Sequence, residues 1–161
     1  MSQQNPTTTV TATINDSEID ATVPSRYLLS DLLRRELDIT SVKRGCETGK
    51  CGACTVLMDG DPVKSCSVLA AQADGTGIET IEGLDDELGE IIKNAYSRNH
   101  GLQCGFCTSG FLLSTKSLLE DVSDPSRDEI RERLQGNICR CTGYTRIIEA
   151  VEDAAVRYDP E

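Results

Sequence analysis

The chain has 161 residues and a formal net charge of -11, with 27 acidic residues against 16 basic ones. This length suits one ordinary domain or two small ones, and the negative charge repels phosphate backbones, which argues against nucleic acid as a partner. No run of residues approaches the roughly 18 consecutive apolar residues of a membrane span, and the polar N-terminus lacks the pattern of a secretory signal, so we expect a cytoplasmic protein.

The first predicted elements are two strands and a helix. Apolar residues alternate with threonines over 10–14, which is the period of a half-buried strand. A turn leads into a returning strand over 18–23. From Arg26 leucines recur at helical spacing, which predicts a helix that ends near Asp38.

A group of four cysteines follows this helix. Cys46, Cys51, Cys54 and Cys66 have the spacing C-x4-C-x2-C-x11-C. This is the spacing of plant-type ferredoxins, which bind one [2Fe-2S] cluster through four thiolates. A zinc site or a disulfide framework is the alternative for these cysteines.

The residues around these thiols suit a cluster. Glycines tolerate positive φ and lack Cβ, so the backbone can close on an inorganic core and turn N–H groups toward sulfur. The glycines of the loop are Gly45, Gly49 and Gly52. Nearby cations would partly offset the negative charge of a thiolate-bound cluster. These cations are Lys43, Arg44 and Lys50.

Short strands follow the cysteine loop. A strand over 55–58 enters a hairpin turn, and a return over 63–66 brings the fourth thiol back beside the loop. Residues 78–81 predict one more strand. Strands around one crossing helix make a small α+β domain, and we expect this domain to span 7–82.

Helical periodicity replaces the strand pattern in the second half of the chain, which predicts a helical domain over 83–158. Ser126 and Glu129 have the spacing of a capping box that opens the third helix of this domain. His100, the single histidine, lies at a predicted helix end, where a surface or capping role is more common than a ligand role. The four helices are expected to begin near Leu84, Cys104, Ser126 and Gly143.

The second cysteine group has the spacing C-x2-C-x31-C-x-C and consists of Cys104, Cys107, Cys139 and Cys141. Residues three apart lie on one face of a helical turn, which we expect for the first two thiols. Residues two apart cannot share a helix face, so the last two must converge from an irregular turn. All eight cysteines thus divide into two groups of four, which predicts two four-thiolate sites. From spacing alone, zinc remains open at the second site.

Three stretches carry the most specific motifs: KRGCETGKCGACTV at 43–56, QCGFCT at 103–108 and GNICRCTGY at 136–144. Together they resemble the small iron-sulfur subunit of the xanthine oxidase family of molybdenum hydroxylases. The resemblance covers nearly everything from Val10 to Val156. It implies an α+β protein with an N-terminal plant-type ferredoxin (β-grasp) domain and a C-terminal four-helix domain, each with a [2Fe-2S] cluster.

The resemblance also implies a function. Small subunits of this family join a large subunit that carries molybdopterin, here expected in its cytosine dinucleotide form, and a medium subunit that carries FAD. The complex is expected to be a dimer of heterotrimers. This chain would be its electron-transfer subunit, with no substrate site of its own. Electrons would pass from molybdenum to the cluster of the second cysteine group, then to the cluster of the first, then to FAD.

Two residues are implied to approach the pterin, namely Gln103 with its side chain and Cys139. Gln103 is equally well explained as a polar residue at a helix start. Ser109 stands where the family usually has proline, so this turn loses the fixed φ of proline, although a serine can still cap a helix. A free two-cluster ferredoxin is a second hypothesis, and a structural zinc module is a third.

Overall fold

A computed structural model describes residues 5–159 of the protein. A five-stranded mixed sheet, with one short helix between its second and third strands, is followed by four longer helices. The strands are β1 (Thr7–Ile14), β2 (Ser17–Pro24), β3 (Thr55–Met58), β4 (Asp61–Lys64) and β5 (Gly77–Glu79). The helices are α1 (Leu29–Asp31), α2 (Glu87–Arg98), α3 (Thr108–Asp121), α4 (Arg127–Leu134) and α5 (Thr145–Arg157). No helix within residues 5–159 is long and apolar enough to cross a membrane.

The sheet has the strand order β2-β1-β5-β3-β4, in which β1 and β5 are parallel and the other neighbours are antiparallel. The predicted first hairpin is confirmed, with Ile14 paired to Ser17 across a two-residue turn. Asn15 and Asp16 both have positive φ, as a tight turn between twisted strands requires. The alternating residues of β1 point into the core of this sheet.

The crossing helix is shorter than predicted. It begins at Leu29 and continues as a π-helical segment over Leu32–Glu36, in which the Leu37 N–H donates to the Leu32 carbonyl at 3.2 Å. Asp38 has a φ of 55° and lies beyond the helix end. A π-helical turn is wider than an α-helical turn, but this segment still keeps Leu29, Leu32 and Leu33 completely buried against the sheet.

The returning strand also ends earlier than predicted. β4 ends at Lys64, and Cys66 lies on a 3-10 turn over Ser65–Ser67 instead of in the strand. The Ser65 hydroxyl donates to the Cys54 carbonyl at 2.7 Å, which bends the chain toward the cysteine loop. β5 likewise ends at Glu79, before the predicted limit of 81.

The four-helix arrangement of the second half is confirmed, and so is the capping box of Ser126 and Glu129 at the start of α4. The predicted helical turn through Cys104 and Cys107 is wrong. α3 begins at Thr108, and Gly105 between the two cysteines has a φ of 81°, which no α-helix contains.

Two separate groups of buried apolar side chains form the interior. One lies under the sheet, and the other lies between the four helices. Helix α3 packs against β3 and β4, which brings the two cysteine-bearing regions together. The domain limits 7–82 and 83–158 stay a prediction.

Candidate metal centres

The structure gathers Cys46, Cys51, Cys54 and Cys66, which we call the first thiol set. The Cys46 Sγ accepts the N–H groups of Cys51 at 3.3 Å and of Thr48 at 3.4 Å. Hydrogen bonds from the Thr48 side chain and main chain, and from Cys51, lower the pKa of Cys46 to about 6. Donors aimed at a sulfur favour its thiolate form, which is the form that binds metal.

The other half of the first thiol set is buried. Cys54 and Cys66 are only 2% and 5% exposed. Burial, together with the adjacent Cys66 thiol, raises the pKa of Cys54 to about 11. A buried thiol of this kind keeps its proton unless a cation takes the place of that proton.

Glycines let the first loop close in the predicted way, with one difference. Gly49 and Gly52 both have a φ of 73°. Gly45 does not have positive φ, but a Cβ at this position would come within 3.1 Å of the Cys51 Sγ. The absence of a side chain at Gly45 therefore leaves the space that the thiol occupies.

Two of the three cations predicted around the first set are less available than the sequence suggested, whereas Lys50 is exposed. Arg44 lies 2.6 Å from Asp31 and 3.1 Å from Glu47, so neighbouring carboxylates already balance its charge. The Lys43 ammonium donates to the Thr40 carbonyl at 2.7 Å. A cation that sequence reasoning missed is Lys64, two residues before Cys66.

Cys104, Cys107, Cys139 and Cys141 also converge, and we call them the second thiol set. The Sγ atoms of Cys104 and Cys141 are 3.5 Å apart. Burial and the neighbouring Cys139 thiol both raise the pKa of Cys107, which places Cys139 beside it. Segments 31 residues apart in the sequence therefore meet at one place, as the spacing predicted.

The electrostatics of the second thiol set resemble those of the first. Burial acts to raise the pKa of Cys139, but the Thr142 hydroxyl at 3.1 Å and the Thr142 N–H at 3.4 Å donate to its Sγ and lower that pKa. Burial raises the pKa of Cys107 to about 12. Each set thus contains one thiol favoured as thiolate by N–H or O–H donors and one buried or partly buried thiol that resists ionisation without a cation.

The two sets differ in accessibility. Cys104 and Cys141 are exposed, unlike the buried Cys54 and Cys66. Large apolar side chains beside the second set are also exposed, at 38% to 50% of their surface. They are Leu102, Phe106, Ile138 and Tyr144.

Both sets fit a two-iron cluster. Within the described chain, no three His, Cys, Asp or Glu side chains are arranged around a single metal ion. The close approaches are instead between two cysteines at a time. In the first set the Cys51 N–H donates to the Cys46 Sγ, and the Cys66 thiol lies beside Cys54. In the second set the Sγ atoms of Cys104 and Cys141 are 3.5 Å apart, and the Cys139 thiol lies beside Cys107. Two pairs of thiolates with backbone donors aimed at sulfur are the donor set of a [2Fe-2S] cluster.

The two loops contact each other directly. The Ile138 N–H donates to the Cys51 carbonyl at 2.8 Å, so the neighbour of Cys139 in the second set is hydrogen bonded to a cysteine of the first set. The buried Asn137 side chain donates to the Gly52 carbonyl at 3.2 Å. A Cβ at Gly52 would come within 2.5 Å of the Gly136 carbonyl, so only glycine permits this approach.

The remaining predicted residues lie at the second set. Gln103 is exposed beside Cys104. Ser109 does not cap α3, because its hydroxyl instead donates to the Ser41 carbonyl of the first domain at 3.1 Å. Ser109 thus contributes a contact between the two domains.

Comparisons with known proteins agree with this geometry. Residues 12–83 match the 2Fe-2S iron-sulfur cluster binding domain family, and residues 80–152 match the [2Fe-2S] binding domain family. The nicotine 6-hydroxylase small subunit of Paenarthrobacter nicotinovorans is 50% identical over 141 residues, covering 88% of this chain and 86% of that protein. This chain belongs to the iron-sulfur subunits of the xanthine oxidase family.

Solved structures support the same family membership for this iron-sulfur subunit. A chain of quinoline 2-oxidoreductase from Pseudomonas putida 86 is 48% identical with a TM-score of 0.88, and the match covers 93% of both chains. Aldehyde oxidoreductase from Desulfovibrio gigas is 42% identical with a TM-score of 0.86, covering 92% of this chain but 17% of that one.

Membership of this family decides among the three functional hypotheses for the iron-sulfur subunit. It is an electron-transfer subunit of an oxidoreductase complex and carries two [2Fe-2S] domains. A free two-cluster ferredoxin is not favoured, because matched relatives are named as subunits, such as the gamma subunit of caffeine dehydrogenase from Pseudomonas sp. (strain CBB1). A structural zinc module is not favoured either, because both halves match [2Fe-2S] families.

Proposed function

We propose that this subunit conducts electrons from a molybdopterin-bearing large subunit to an FAD-bearing medium subunit. The second thiol set would hold the cluster nearer molybdenum, and the first set the cluster nearer the flavin. Each bound cluster would accept and release one electron. The complex is proposed to be a dimer of heterotrimers, with molybdopterin as its cytosine dinucleotide and Gln103 and Cys139 against the pterin.

The observation that carries this proposal is the contact between the two cysteine loops. The hydrogen bond from the Ile138 N–H to the Cys51 carbonyl joins a neighbour of Cys139 to a cysteine of the first set. Electrons can therefore cross from one set to the other through a short stretch of protein without a mobile carrier. Asn137 and Gly52 hold the two loops in this position.

The exposure of the second set supports our proposal that the large subunit binds at this set. Exposed cysteines at this set, flanked by exposed apolar side chains such as Phe106 and Ile138, form a surface that a partner can cover. Matched relatives are named for nicotine, caffeine and aldehydes, which is expected if the substrate is selected on the partner. The substrate therefore depends on the large subunit.

The test is to isolate the native complex that contains this chain. We expect about four irons per chain, because each of two clusters contains two irons. Molybdenum and flavin should elute with the chain in size-exclusion chromatography, and partial reduction should give two distinct EPR signals. Material without iron, or a brown chain that elutes alone without molybdenum, would contradict the proposal.

A further inference from the structure

Two lysines, Lys64 and Lys116, connect the sheet to the helices, and they have opposite surroundings. The Lys116 side chain is 8% exposed, and its ammonium lies 2.6 Å from Glu79 and 2.8 Å from Asp86. A buried cation is tolerated where anions balance its charge. Lys116 meets this requirement with carboxylates.

Lys64 does not meet this requirement in the same way. Its ammonium lies 3.0 Å from the Thr55 hydroxyl and 3.5 Å from the Asn137 side-chain oxygen, and both of these groups are neutral. Among residues 5–159, no carboxylate lies within 4.0 Å of this ammonium. Within this part of the chain, Lys64 therefore has no Asp or Glu partner, although its side chain is partly buried.

The groups that can balance this charge are thiols of the first set. Thr55, whose hydroxyl Lys64 contacts, directly follows Cys54, and this hydroxyl donates to the Gly52 carbonyl at 2.7 Å. The Lys64 ammonium therefore lies beside the loop that carries Cys51 and Cys54. Thiolates attract the ammonium when they carry negative charge, as they do when they bind a metal cluster. The Lys64 environment is thus complete only when the first set is anionic.

The second domain covers part of the Lys64 side chain. A Cβ at Gly136 would come within 3.3 Å of the Lys64 ammonium. The Asn137 side-chain oxygen that faces Lys64 also accepts the Ser114 hydroxyl at 3.1 Å, while its amide nitrogen donates to the Gly52 carbonyl. These bonds hold the Asn137 oxygen toward Lys64 and keep the cation beside the first set.

We propose that the Lys64 ammonium is the counter-charge of the first cluster and raises its reduction potential. This inference rests on the proposed function. Reduction adds one electron, which the second cluster loses, and it requires no proton. The added negative charge interacts more favourably with a nearby, partly desolvated cation than with water alone, so Lys64 stabilises the reduced form more than the oxidised form.

The test compares variants of the whole complex by redox titration followed by EPR. Lys64→Gln and Lys64→Met both remove the charge, and Lys64→Arg keeps it. Lys93→Gln is the matched control, because Lys93 is a lysine on α2 that pairs with Glu90. The signal of the first cluster is identified as the one that Cys54→Ser abolishes.

We expect the midpoint potential of the first cluster to fall in both neutral variants, with a smaller change at the second cluster. Lys64→Arg and Lys93→Gln should leave both potentials close to those of the wild type. Loss of the first cluster in the neutral variants, with retention in Lys64→Arg, would also support a role for the charge.

Three results would overturn the role of Lys64. These are an unchanged first midpoint in both neutral variants, an equal fall in Lys93→Gln, and loss of the first cluster in Lys64→Arg as well. A wild-type complex without two clusters would instead contradict the proposed function, so the two failures are distinguishable.

Discussion

The two thiol sets have the same number of cysteines but differ in how the chain builds and covers them. Three members of the first set lie within nine consecutive residues, and Cys54 and Cys66 are buried under the sheet domain. The second set joins two segments, and Cys104 and Cys141 remain exposed. The comparison shows that one site is enclosed by its own domain, whereas the other is left open to a partner.

The largest effect is expected from removing one thiol of each set. Cys54→Ser and Cys104→Ser should each lower the iron content from about four to about two per chain, because one cluster is lost and the other is kept. Cys54→Ser should also lower the melting temperature more, since it places a hydroxyl in a buried site. Iron assay and thermal unfolding check this, and equal melting temperatures would contradict the difference in burial.

The second largest effect is expected from a chelator, which should remove the two clusters at different rates. In the isolated chain we expect the EPR signal that Cys104→Ser abolishes to disappear first, because Cys104 and Cys141 are exposed, whereas no thiol of the first set is. In the complete complex the difference in rate should shrink, because a partner covers that face. Earlier loss of the first cluster from the isolated chain would show that exposure does not control cluster loss.

The contact between the helices and the sheet can be weakened at Lys116, because the Lys116 ammonium on α3 pairs with Glu79 of β5. Lys116→Met should lower the free energy of unfolding by about 1–3 kcal/mol, less than for a fully buried pair because both carboxylates are partly hydrated. Urea denaturation measures this change, with Lys93→Met as the control at below about 1 kcal/mol. An unchanged Lys116→Met midpoint would rule out a stabilising role.

The smallest effect is expected at Glu82, between the sheet and the helices. Burial acts to raise the pKa of Glu82, but hydroxyl donors on Ser41 and Thr80 lower it below its ordinary value of 4.5. A folded pKa below the unfolded value means that this carboxylate stabilises the fold above about pH 4.5 and loses that effect as the pH falls through the folded pKa.

Glu82→Gln should therefore flatten the loss of stability below pH 4.5. The effect at neutral pH should be below about 1 kcal/mol, because solvent reaches this carboxylate. Urea denaturation at several pH values tests this. A Glu82→Gln profile with the same slope as the wild type would assign the acid sensitivity to other groups.

Much of the first site was predictable because its information is local. The spacing from Cys46 to Cys54 and the intervening glycines directly indicate a loop that surrounds a small core. The fourth thiol was predicted beside this loop, but its 3-10 turn was not, because that turn depends on the hydrogen bond from Ser65 to Cys54. A contact between two loops produces no periodic pattern in the sequence, so residue spacing does not predict it.

The second site was predictable in its membership but not in its backbone. Periodicity indicated the four helices, yet it wrongly extended α3 back through Cys104, because residues three apart fit a helix as well as an irregular turn. Gly105 has a φ of 81°, which any glycine can adopt, so the residue type alone does not show that α3 has not yet begun at this position.

The sequence by itself determined the two groups of four cysteines, the order of the strands and helices, and the membership of a family, since each depends on residue type and spacing along the chain. Only the tertiary structure decided that Ile138 contacts Cys51, that Arg44 is paired and that Lys64 lies beside the loop of the first set. Charge balance depends on distances between residues far apart in the chain, and these distances exist only after the helices have packed on the sheet.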